Sequence, residues 1–171
     1  MWESWWVQQS LAVSSFGVKN AEILIREMWD MISLSLCGAY VVPLILYWMN
    51  PSWIHVKIFI GIFLTGFINE FLKHVVFDDP RPATATNCNL CVNDGPQGGK
   101  PGMPSGHSAT ATFFAACYFT QTQNPWIRAG LVGYAILVMI SRYQKRCHTL
   151  PQITAGSLLG LLLSQCVNYR A

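Results

Sequence analysis

Apolar residues fall in long blocks along this chain, with the charges confined to the breaks between them. Met31 to Met49 (MISLSLCGAYVVPLILYWM) holds no charged side chain. At about 1.5 Å of rise per residue it is long enough for a helix to cross a bilayer core. Four more blocks follow, at Ile54–Leu72, Ser108–Thr120, Pro125–Ile140 and Ile153–Val167. One such block would fit a buried helix of a soluble protein. Five predict an all-α, polytopic membrane helical bundle with five transmembrane helices. Several blocks are short, which fits a thin membrane or helices shielded by neighbours. Met1–Asp30 has a different pattern. Trp2, Trp5 and Trp6 suit headgroup depth, and Ile23, Leu24 and Met28 form an apolar stripe among Glu22, Arg26 and Glu27. This segment is predicted to be an N-terminal interfacial helix; partial crossing of the membrane is the alternative, disfavoured by Lys19 and Asn20. No basic region precedes its tryptophans, so no secretory signal is read there.

The breaks organise the chain as a single domain over residues 1–171, without internal repeats. The longest break, residues 77–103, is rich in Pro, Gly, Asn and Asp and is predicted to be a loop. With five spans, the N-terminus, this loop and Ser141–Pro151 share one side of the membrane. All eight acids lie on that side or at its boundary, while Lys57, Arg128 and Arg170 lie near the other. If the acid-free basic side is cytosolic, the long loop faces the lumen or the exterior. The expected setting is therefore an endomembrane resembling the endoplasmic reticulum, or the plasma membrane.

Composition adds to this picture. The 171 residues are 52% hydrophobic and 11% charged, about half the charged share of a soluble domain. The bilayer is the partner such a composition implies; no nucleic acid and no cofactor are expected. Of six cysteines, Cys37, Cys117 and Cys166 fall in apolar blocks, as packing residues. Cys88 and Cys91 (CNLC) lie in the loop, and Cys147 precedes His148. CxxC can be half of a zinc site, but no second ligand pair accompanies it. On a lumenal loop, Cys88, Cys91 and Cys147 are instead candidates for a disulfide.

Three polar stretches carry the candidate chemistry: Lys73–Pro82 (KHVVFDDPRP), Pro104–His107 (PSGH) and Ser141–Gln152 (SRYQKRCHTLPQ). Any one of Lys73, Arg81 and Arg142 could be a residue snorkelling at a span end. Together, beside PSGH and His148, they suit a phosphate dianion, which needs several charge-assisted donors. Pro104 can start a helix and Ser105 can cap it, leaving the Gly106 and His107 N–H groups to meet an anion. Two histidines can divide nucleophile and general acid between them. With Lys and Arg supplying the charge, no metal is required, and Asp78–Asp79 is the only adjacent acidic pair.

In order and spacing, these stretches resemble the three-part signature of the type 2 phosphatidic acid phosphatase superfamily. The resemblance covers roughly Ile58–Leu163. It implies that Lys73, Arg81 and Arg142 bind phosphate with Ser105 and Gly106. It implies that His107 protonates the leaving oxygen and His148 forms a phosphohistidine. There are two departures. Seven residues rather than six separate Lys73 from Arg81, and His74 has the six-residue spacing; Lys73 is preferred, because an extra loop residue in Phe77-Asp78-Asp79-Pro80 is easily absorbed. Gln152 stands where the superfamily usually has an Asp that orients the histidine. A Gln oxygen can fix the tautomer but supplies no charge, which favours a good leaving group. Locally, His148-Thr149-x-x-Gln152 resembles the dolichyldiphosphatase branch. The expectation is a metal-independent lipid phosphatase acting on a polyprenyl (dolichyl-like) diphosphate. A phosphatidate or lysophosphatidate monophosphatase, or a catalytically silent membrane scaffold that binds lipid phosphate, is the alternative.

Overall fold

A computed structural model describes residues 20–89 and 94–168. These form five helices: α1 (Asn20–Met49), α2 (Trp53–Val75), α3 (Gly106–Gln121), α4 (Pro125–Gln144) and α5 (Leu150–Asn168). Among the described residues there is no strand, only isolated bridges joining Pro80 to Pro101 and Thr86 to Pro96. Each apolar block lies within one helix. Helices α1, α2 and α5 are long and apolar enough to cross a membrane. With 16 residues, α3 spans only about 24 Å, and α4 contains Arg128 and Arg142.

The expected boundary at Asp30 is absent. Residues 20–30 are the opening turns of α1, which continues to Met49 with one turn at Ser35. No Pro or Gly falls between Asn20 and Ser35 to stop the helix. Asp30 is also tied to the far end of α4 by an ion pair with Lys145 at 2.5 Å. Trp2, Trp5 and Trp6 lie outside the described residues.

The short α3 forms the centre of the bundle. Eleven of its 16 residues are buried, and it packs against α5, α4 and α2. The closest approach is to α5, where Gly156 and Gly160 lie one turn apart. A Cβ at Gly156 would strike the Ser105 carbonyl oxygen, and one at Gly160 the Ala109 carbonyl oxygen. Small residues at this spacing let two backbones meet within a membrane, where packing replaces hydrophobic exclusion. This contact fixes α5, which begins just after His148, against α3, which begins at Gly106.

At the opposite end, the Asn124 side chain caps α4 by accepting from Trp126 N–H at 2.9 Å, with Pro125 at the first helical position. His55 Nδ1 and Tyr118 OH, 3.1 Å apart, link the start of α2 to the end of α3. Trp48, Trp53 and Trp126 are 78–85% exposed at this end, in the manner of an interfacial aromatic belt. Along α2, Phe63, Phe67 and Phe71 are also exposed, forming a stripe at helical spacing suited to lipid.

Candidate active site

Backbone bonds hold the long loop and the residues it carries. Arg81 N–H donates to Lys100 O at 2.8 Å, and Gly102 N–H donates to Asp79 O at 2.9 Å. A Cys88–Cys147 disulfide, with Cα atoms 5.4 Å apart, joins the loop to the segment before His148. Cys91 lies outside the described residues. With both sulfurs engaged, neither Cys88 nor Cys147 is available as a zinc thiolate. Arg142 lies against this junction, donating Nη1 to Ser33 Oγ and Nη2 to the Cys88 carbonyl.

A cavity of about 230 Å³ opens at this end of the bundle. Lys73, Arg81, Gly106, His107 and His148 all line it, brought together from α2, the loop, α3 and the α4–α5 connection. Lys73 is buried whereas His74 is exposed. One residue along a helix turns the side chain by about 100°, so Lys73 reaches the cavity and His74 does not. Arg81 Nη2 donates to Asn89 Oδ1 at 3.0 Å. Its Nε and Nη1, and His107 Nε2, are buried without a hydrogen-bond partner among the described residues. Buried, unsatisfied guanidinium donors are costly, and a tetrahedral anion would satisfy them. Burial lowers the Arg81 pKa from its usual value, with Asp94 and Glu70 opposing. The start of α3 adds N–H groups and the positive end of its dipole.

Three of the expected site residues stand behind the wall rather than on it: Ser105, Arg142 and Gln152. Ser105 occupies the cap position of α3, but no helix N–H reaches its side chain. Its Oγ instead accepts from Ser108 Oγ at 3.1 Å, and its own N–H donates to Gln152 O. Arg142 is fully buried, and its Nε has no partner among the described residues.

Gln152 sits directly behind His148. Its Oε1 lies 3.0 Å from His148 Nδ1 and accepts from Thr149 N–H at 3.2 Å. Its Nε2 donates to Asp79 Oδ2 and to Pro80 O, both at 2.9 Å. Those two acceptors orient the amide, so Oε1 faces the imidazole. An amide oxygen can only accept, so His148 carries its proton on Nδ1 and leaves the Nε2 lone pair free. Burial, then the charges of Arg142 and Arg81, lowers the His148 pKa to about 3, with the Gln152 bond opposing. The ring is therefore neutral at physiological pH, as a nucleophile must be.

This shift carries a stability consequence. The native ring stays unprotonated down to about pH 3, whereas an unfolded imidazole takes up a proton below about 6.5. Between those values the unfolded state binds more protons, so this contribution is complete above pH 6.5 and is lost as pH falls. Thermal melts of purified protein from pH 7.5 to 4 should decline, and His148→Gln should decline less steeply. Parallel curves would contradict the shift.

Three neighbours escaped the sequence reading. Glu70 Oε1 pairs with Lys73 Nζ at 2.5 Å, and Asn69 is buried in the cavity wall. The i, i+3 spacing of Glu70 and Lys73 could have signalled that pair. Asp79 gave no local signal, because its partner lies 73 residues away.

The PAP2 superfamily model matches residues 54–170, which include every residue of the cavity wall from Gly66 onward. The chain belongs to the PAP2 superfamily. Among curated relatives, it is 31% identical over 120 residues to Dolichyldiphosphatase 1 of Rhinolophus ferrumequinum, covering 61% of this chain and 47% of that one. It is 34% identical over 109 residues to Lipid phosphate phosphatase gamma of Arabidopsis thaliana, covering 57% and 44% respectively. The chain thus spans less than half the length of these curated relatives. No solved structure matches. The PAP2 match begins at Ile54, so α1 lies outside it, although Ser33 of α1 holds Arg142 and Leu36 and Tyr40 line the cavity.

Proposed function

We propose that this protein is a metal-independent lipid phosphatase that hydrolyses a polyprenyl, dolichyl-like diphosphate through a phosphohistidine. The observation that carries this reading is the cavity itself. Lys73, Arg81, His107 and a neutral, oriented His148 line one cavity, and buried donors of Arg81 have no partner among the described residues. The likeness to a dolichyldiphosphatase and the amide at Gln152 support the choice of lipid.

In this mechanism, Lys73, Arg81 and the α3 N–H groups hold the terminal phosphoryl oxygens, with Arg142 adding charge from behind. His148 Nε2 attacks phosphorus. The P–O bond to the leaving lipid monophosphate breaks, and His107 protonates the departing oxygen. Water then attacks phosphorus and gives its proton to His107, while the P–N bond breaks, returning the electron pair to His148 Nε2 and releasing inorganic phosphate. Phosphoryl transfer of this kind relies on positioning and charge neutralisation. Asp79, which faces the Gln152 amide, and Glu70, which pairs with Lys73, are both committed to protein partners. We place this site on five transmembrane spans with the loop on the lumenal or external side, where the Cys88–Cys147 disulfide would form.

The likeness to a lipid phosphate phosphatase favours a second reading, a phosphatidate-type monophosphatase. Phosphate release by purified protein from polyprenyl diphosphate, polyprenyl monophosphate and phosphatidate separates the two. Diphosphate should be preferred by at least about tenfold in kcat/KM, and EDTA should leave the rate unchanged. Preference for phosphatidate would select the second reading. No release from any of the three would select a silent lipid-binding scaffold, and strict Mg²⁺ dependence would overturn the mechanism.

A further inference from the structure

Within the reading just given, His148 has no direct carboxylate partner among the described residues, yet a carboxylate stands behind Gln152, the residue it faces. Asp79 Oδ2 accepts from Gln152 Nε2 at 2.9 Å, and Gln152 Oε1 faces His148 Nδ1 at 3.0 Å. We infer that Asp79 is a positioning residue that supplies charge to the nucleophile through the Gln152 amide.

Orientation supports this first. If the amide were reversed, its oxygen would face the Asp79 carboxylate and Pro80 carbonyl, while its NH₂ would meet Thr149 N–H. Both encounters are repulsive, so the present orientation is selected and the His148 tautomer with it. Rigidity comes next. Gly102 packs on the amide, where an added Cβ would lie 2.7 Å from Nε2 and 2.8 Å from Oε1. Gly102 N–H also donates to Asp79 O, so one residue holds both members of the relay. Polarisation follows from the chain of bonds. A carboxylate drawing on one end of an amide raises electron density on its oxygen, because linked hydrogen bonds strengthen one another at low dielectric. That oxygen then stabilises the positive ring that forms as phosphorus is attacked. No proton leaves Asp79 or Gln152; only the strength of the Nδ1–H bond changes.

The test is a double-mutant cycle on purified protein with polyprenyl diphosphate. Asp79→Asn keeps an acceptor but removes the charge. It should lower kcat about tenfold, with KM within about twofold and thermal stability preserved. In a Gln152→Glu background the carboxylate touches His148 directly and repels Asp79. There, Asp79→Asn should cost nothing or raise kcat. A purely structural Asp79 would cost the same in both backgrounds, and that result, or an unchanged kcat in the single variant, overturns the inference. If Asp79→Asn melts early, Asp79→Glu is compared with Asp79→Gln, which matches it in size and differs in charge. Glu should exceed Gln about tenfold, and equality overturns the inference. His148→Ala keeps the two readings apart. If it retains activity, the nucleophile assignment itself fails. If it is inactive while Asp79 gives equal losses in both backgrounds, only the relay fails.

Discussion

His148→Ala should reduce phosphate release by at least about 10³-fold, because in the proposed mechanism it removes the atom that accepts the phosphoryl group. The loss should appear in kcat, while lipid binding through Lys73 and Arg81 persists. His107→Ala should behave differently, since it removes only the proton given to the leaving oxygen. Its cost should grow with leaving-group basicity and so be larger for a monophosphate ester than for a diphosphate. The P–N bond of a phosphohistidine is acid-labile, so the intermediate is sought by alkaline quench of the wild type with labelled diphosphate. Label on His148 in the wild type, absent from His148→Ala, is the expected result. Near-normal turnover by His148→Ala would end the assignment.

Breaking the Cys88–Cys147 disulfide should be the most damaging change outside the cavity wall. The bond closes a sequence separation of 59 residues. Loop-closure entropy for that length is about 4 kcal/mol, an upper bound here because membrane spans already restrain the unfolded chain. The bond also sits where the site is assembled. The Cys88 carbonyl accepts from Arg142, Asn89 accepts from Arg81, and Cys147 adjoins His148. Cys88→Ser or Cys147→Ser should therefore lower melting temperature and reduce kcat/KM about ten- to a hundredfold, as should dithiothreitol on the wild type. Cys37→Ser lies outside this junction and should change activity less than twofold. Free Cys88 and Cys147 thiols in non-reducing mass spectrometry of the native protein would contradict both the pairing and the lumenal placement of the loop.

Much of this protein was written locally. Hydropathy is a property of neighbouring residues, so the five apolar blocks marked the cores of the five helices. The motif residues lie at block ends, and an antiparallel arrangement brings such ends together; Lys73, Arg81, Gly106, His107 and His148 meet in this way. Other features needed the third dimension. The sequence favoured Lys73 over His74 on loop length alone, and the rotation of α2 about its axis put Lys73 on the cavity and His74 away from it. Three loop-side cysteines were candidates, and chain path paired Cys88 with Cys147. Residues 20–30 carried an amphipathic pattern that suits a surface helix, but helix continuity made them the start of α1, and the Asp30–Lys145 pair tied them to the end of α4. Ser105 had the chemistry of a cap, yet its hydroxyl was engaged by Ser108. Gln152 could be seen as a neutral substitute for a carboxylate. That a carboxylate stands behind it, at Asp79, follows only from the folding of the long loop onto the start of α5. Hydrogen bonds between residues 73 positions apart leave no periodicity in a sequence, and only the tertiary structure decides them.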